Sequence, residues 1–153
     1  MRAGMLVLAF SAALAGCAGS ADVGNISALE VVVVADHTPR GDVPRDLLGE
    51  LREALPRHAV ERGLLGRSRE GGRRILVRAE IVDFPGRGSG GIGQGAPWIE
   101  AGPITVTYTL TDDDGKTVAE TTLTTDPGDA VHAPADPFVH SQAVAFVRWL
   151  AGR

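Results

Sequence analysis

Apolar and polar positions along the chain alternate in a few clear rhythms. Leu29 to Ala35 (LEVVVVA) is a continuous apolar run with four successive valines, the pattern of a β-strand covered on both faces. Leu47, Leu48, Leu51 and Leu55 then recur at helical spacing, with Arg45, Glu50, Arg52 and Glu53 on other faces. Asp42 stands ahead of this stretch as its expected N-cap, and Pro56 is expected to kink it or start a new short helix running to about Arg62. Arg73 to Phe84 (RRILVRAEIVDF) has Ile75, Val77, Ala79 and Ile81 on one face and a mixed opposite face, which predicts a long strand. Ile104 to Thr111 alternates cleanly, with Ile104, Val106, Tyr108 and Leu110 inward and threonines outward.

Asp114-Gly115 matches the central pair of a type I′ hairpin turn. Folding about it sets Leu110 opposite Ala119, Tyr108 opposite Thr121 and Val106 opposite Leu123, with the inward faces agreeing on both strands. Asp136-Pro137 is an N-cap followed by proline at the first helical position, and Val139, Ala143, Phe146 and Leu150 form the stripe of a last helix, with Trp149 beside it. The strand-helix-strand order at the start predicts a right-handed crossover between parallel strands. The whole reads as one α+β domain, β-α-β-β-β-α, with a four-stranded mixed sheet and two helices packed on one face.

The beginning of the chain changes the picture from fold to location. Met5 to Ala13 is an apolar run too short to span a bilayer, preceded by Arg2 and followed by Leu14-Ala15-Gly16-Cys17. These four residues resemble the lipobox of bacterial lipoproteins at every position. The resemblance implies cleavage before Cys17, diacylglycerol on its sulfur and often a further acyl chain, such as palmitate, on its new amine. Two or three chains hold a protein firmly at a bilayer, each buried methylene contributing about 0.8 kcal/mol. The expected division is a signal peptide at 1–16, a lipidated N-terminus and stalk at 17–28, and the α+β domain at 29–153. Ala18 stands where an aspartate would retain a Gram-negative lipoprotein in the inner membrane, so the expected address is the outer membrane, facing the periplasm.

A second resemblance is carried by Asp83-Phe84, the glycine-rich stretch Gly86 to Gly95, and Val106 to Ala119, which follows a Val-x-Tyr-x-Leu-x-Asp-x-x-Gly-Lys-x-x-Ala pattern. It is similar to small envelope lipoproteins of Gram-negative bacteria and implies a fold and a location, with no activity attached.

Cys17 is the one cysteine, so the mature domain holds together by its core alone. With Arg2 removed, 15 basic residues become 14 against 19 acidic ones, a formal charge of −5. Arginines at 57, 62, 67, 69, 73, 74 and 78 make the middle basic, which reads as a solvated face in preference to a surface for phosphorylated headgroups. Gly86 to Gly91 satisfies G-x-G-x-x-G, but Pro97 and Pro103 prevent the helix such a fingerprint needs, so neither nucleotide nor nucleic acid is expected as a partner. Asp112-Asp113-Asp114-Gly115 lacks the alternating ligands of a calcium loop. No G-x-S-x-G elbow occurs, and no cofactor is implied.

Two functional readings remain. In the first, a non-enzymatic membrane-anchored lipoprotein binds another envelope component through the stretch 86–102, with Trp98, Ile99, Gly93 and Gly95 as contact residues. In the alternative, a periplasm-facing metal-dependent enzyme uses His132 and His140, with Asp36 or His37 as further ligands, although no recognised ligand spacing joins them.

Overall fold

The computed structural model describes residues 23–65, 71–86, 99, 100, 102–127, 132, 133 and 135–152. In chain order it contains β1 (Ile26–Asp36), α1 (Arg45–Glu61), β2 (Arg73–Asp83), β3 (Ile99–Glu100), β4 (Ile104–Thr111), β5 (Thr117–Thr125), β6 (His132–Ala133) and α2 (Ala135–Leu150). A four-stranded mixed sheet runs β1-β2-β4-β5, with β1 and β2 parallel and the other pairs antiparallel. Two helices complete this α+β fold, in the order β-α-β-β-β-α. The short strands β3 and β6 pair with each other in a small second sheet.

Alternation along β2 and β4 puts Ile75, Val77, Ala79, Ile81, Ile104, Val106, Tyr108 and Leu110 on one buried face. Leu47, Leu51, Ala54, Leu55 and Ala59 of α1 and Phe138, Val139, Ala143, Phe146 and Leu150 of α2 belong to the same core. The opposite face of the sheet is mixed, with Val32 and Val82 exposed among polar side chains. Thr105 pairs with Thr124 and Thr107 with Thr122 through their hydroxyls, and Arg74 pairs there with Glu30 and Asp113.

That one-sided arrangement corrects the expectation for the valine run. β1 is an edge strand covered on one face: Val31 is buried, whereas Val32 is 41% exposed. Its register slips between Val31 and Val33, and the Val32 carbonyl there accepts a hydrogen bond from Arg52 Nη2 at 3.0 Å. β1 also starts three residues before the expected Leu29, and Val23 is already part of the core.

Pro56 does not divide α1, which runs as one helix of 17 residues. An internal proline costs roughly 3 kcal/mol, but buried residues lie on both sides of it, Leu51, Ala54 and Leu55 before and Ala59 after. Packing of that apolar face holds the helix across the missing bond. Asp42 is not its N-cap; that position is Pro44, with no side-chain cap. The local work is done by Asp36, whose carboxylate accepts the Val43 N–H at 3.0 Å and both the N–H and hydroxyl of Thr38, at 2.9 and 2.6 Å. Burial opposes ionisation of Asp36, but these bonds outweigh it and lower its pKa.

The β4–β5 register agrees with the expected one at Val106, Tyr108 and Leu110. The turn does not. Gly115 has φ +77°, but no described non-glycine residue has positive φ, so Asp114 is not in the left-handed region that a type I′ turn demands. Asp112 instead starts a turn with one more loop residue. Its carbonyl accepts the Gly115 N–H at 3.0 Å, and its Oδ1 accepts the N–H groups of Asp114 and Lys116 at 3.1 and 2.9 Å. The loop is therefore Asp113 to Gly115, with glycine in the left-handed position of a three-residue hairpin. A Cβ on Gly115 meets nothing within 4 Å, so substitution is resisted by the backbone alone. Gly115→Val is expected to cost about 1–3 kcal/mol. Chemical denaturation should show it as a lower unfolding midpoint, with Gly115→Asn losing least; an unchanged midpoint for the valine variant would refute this account of the turn.

Candidate functional site

Of the residues singled out in the sequence, Cys17, Gly93, Gly95 and Trp98 lie outside the described residues. Ile99 does not: it has 0% exposure and sits in β3 opposite Ala133 of β6. A side chain with no exposed surface has none to offer a partner, so Ile99 is a core residue and not a contact residue. His132 lies in β6 opposite Glu100. Asp36 is occupied with its own loop, and His37 is half exposed, with Nδ1 3.9 Å from Glu80.

His140 has a different neighbour from the one its sequence spacing suggests. Its ring centroid lies 5.3 Å from that of His58, with the planes at 62°. These rings stand in a cleft of about 420 Å³ between the helices, lined by Glu50, Glu53, Ala54, Arg57 and His58 from α1 and by Asp136, Val139 and His140 from α2. The spacings explain the lining. Positions 50, 53, 54, 57 and 58 form one stripe of α1, and 136, 139 and 140 form one stripe of α2.

Like charges meet at the end of the cleft where α2 begins. Burial raises the pKa of Glu50, and so do a hydrogen bond with Asp136 and repulsion from Asp136, Asp46 and Glu53. At the other end burial lowers the pKa of His58. Glu61, whose carboxylate is 3.6 Å from His58 Nδ1, works against that, while His140, Arg57 and Arg62 reinforce it. The cleft thus offers a neutral imidazole at near-neutral pH and a concentration of carboxylates, chemistry suited to a cation or to proton exchange.

Nucleophilic chemistry has no support from the neighbouring serine. The Ser141 hydroxyl donates to the Phe138 carbonyl at 2.9 Å and lies 3.0 Å from Thr125 Oγ1, tying α2 to β5. Among the described residues, no group of three or more His, Cys, Asp or Glu side chains is arranged to hold a metal ion. No described helix is long and apolar enough to cross a membrane.

The basic middle of the chain is also partly neutralised. Arg74 pairs with Glu30 and lies 3.9 Å from Asp113, and Arg78 lies 3.5 Å from Glu80.

No protein-family model and no curated protein matches the chain. Among solved structures it is similar to the PelC dodecamer from Paraburkholderia phytofirmans, at 14% identity and a TM-score of 0.40, over 88% of this chain and 92% of that one. It is also similar to a protein assigned as a lipoprotein from Caulobacter crescentus CB15, at 15% identity and a TM-score of 0.40, over 82% and 92% of the two chains. A third is the minor lipoprotein from Acinetobacter baumannii, at 14% identity and a TM-score of 0.35, over 78% and 86%. Likeness at this level assigns no activity to the chain.

Proposed function

We propose that the chain is a lipoprotein of the bacterial cell envelope, anchored through lipid on Cys17, whose α+β domain binds another envelope component without catalysing a reaction. The observation that carries this reading is Leu14-Ala15-Gly16-Cys17 behind the apolar run Met5 to Ala13. Val23, the first core residue among those described, follows Cys17 by only six positions. Six extended residues reach at most about 20 Å, so the anchor would hold the start of β1 close to the bilayer. An outer-membrane address facing the periplasm follows from Ala18 after the lipidated cysteine. The stretch 86–102, with Trp98 as its large aromatic, is the proposed contact, because a connection this long and glycine-rich is costly to order for linkage alone.

Cys17→Ser tests the anchor. The native protein should label with palmitate and partition with membranes into detergent. The variant should carry no lipid and escape cleavage by the lipoprotein peptidase, so that it keeps residues 1–16. Lipid-free native protein, or a Cys17→Ser variant processed and retained like the native one, would overturn the proposal.

A further inference from the structure

We propose that His58 and His140 form a two-histidine site for a late first-row divalent metal ion, such as zinc, nickel or copper, held between α1 and α2. The geometry of the rings carries this. Zinc–nitrogen bonds are about 2.0–2.1 Å long, so two imidazoles sharing one tetrahedral ion have centroids roughly 5 Å apart. The observed separation is 5.3 Å, with the ring planes steeply inclined. Each ring comes from a different helix, so an ion between them would cross-link segments far apart in the chain.

The surroundings suit a cation bound by imidazole. The Glu61 carboxylate lies 3.6 Å from His58 Nδ1, a negative charge beside the ring that favours a cation there. Glu50, Glu53 and Asp136 line the same cleft, against Arg57 as the one arginine or lysine among the described residues of its lining. Imidazole ligands favour zinc, copper and nickel over magnesium or calcium, which prefer oxygen. Since no third described His, Cys, Asp or Glu completes a set with them, the other coordination positions would be open to water or to a ligand from outside. The site is therefore one for an exchangeable ion, unlike a closed structural zinc centre.

The test uses the full chain in detergent carrying Cys17→Ser, which removes its only thiol. Zinc is titrated against the thermal unfolding midpoint, and cobalt against its visible absorption spectrum. One ion per chain should bind saturably and raise the midpoint as its concentration passes the dissociation constant. His140→Ala changes an exposed position and should fold normally yet lose the binding; His58→Ala should lose it as well. Glu61→Gln, which removes a negative charge beside His58, should weaken it by a few-fold at most, and His132→Ala should leave it unchanged. Absence of saturable binding would overturn the proposal, as would binding that survives His140→Ala. Loss on His132→Ala with retention in His58→Ala would overturn it in favour of a different histidine pair.

Discussion

Gln142→Met should lower stability by about 2–4 kcal/mol, although it preserves side-chain length and helical propensity. Gln142 is a polar residue with 0% exposure on the core side of α2. Its Oε1 accepts the Tyr108 hydroxyl at 3.0 Å, and its Nε2 donates to the carbonyls of Ile104 at 2.9 Å and Leu123 at 3.2 Å. One side chain thereby joins α2 to both β4 and β5. Methionine would leave a buried phenol without its acceptor and two carbonyls without this donor, and each such loss costs about 1–3 kcal/mol before relaxation. Burial already raises the pKa of Tyr108, so ionisation offers the phenol no relief at ordinary pH. Urea unfolding of the single variant, of Tyr108→Phe and of the pair should show coupling: the double variant should cost less than the sum, because it removes donor and acceptor together. Additive effects, or an unchanged midpoint for Gln142→Met, would mean that these bonds do not hold α2 to the sheet.

That network marks a boundary of what sequence pattern conveys. The stripe Val139, Ala143, Phe146 and Leu150 is visible because all four are apolar, and the helix buries all of them. Gln142 shares that face, but only the position of Tyr108 on a facing strand makes a buried amide tenable. The β4–β5 register was legible for a related reason. Period-two alternation on two strands flanking one turn admits a single alignment of their inward faces. The turn within that register depended on the Asp112 carboxylate taking two backbone N–H groups, a choice that residue type leaves open.

The valine run shows the opposite failure. Four valines make a strand probable by stiffness alone, but they do not reveal how many layers cover it. With both helices on one face and β1 at the edge, Val32 is left exposed. The helical cleft was hidden more deeply. Glu50, Glu53 and Arg57 look like the wet side of an amphipathic helix, and they form a site only where α2 docks beside them. His58 and His140 are 82 positions apart in the chain, and no local spacing rule joins residues that distant.

Ile99→Ala is expected to cost about 2–5 kcal/mol, the range for truncating a fully buried aliphatic side chain. The reason is again packing. Ile99 has no exposed surface, and through β3 it pairs with Ala133 of β6, so it fastens the connection after β2 to the segment entering α2. Trp98, its neighbour in sequence, is the aromatic through which the proposed partner contact is made, and Trp98→Ala should have the reverse profile. Thermal unfolding should separate the two: a much lower midpoint for Ile99→Ala, and a nearly native one for Trp98→Ala. Recovery of a stoichiometric envelope protein from detergent-solubilised membranes should fall with Trp98→Ala. At a temperature where Ile99→Ala is still folded, its recovery should remain near native. If Trp98→Ala is as destabilising as Ile99→Ala and leaves recovery unchanged, both side chains belong to the core and the contact proposed for 86–102 fails. If Ile99→Ala is neutral in unfolding, the β3–β6 pair does not anchor that connection, and the burial of Ile99 contributes little to the fold.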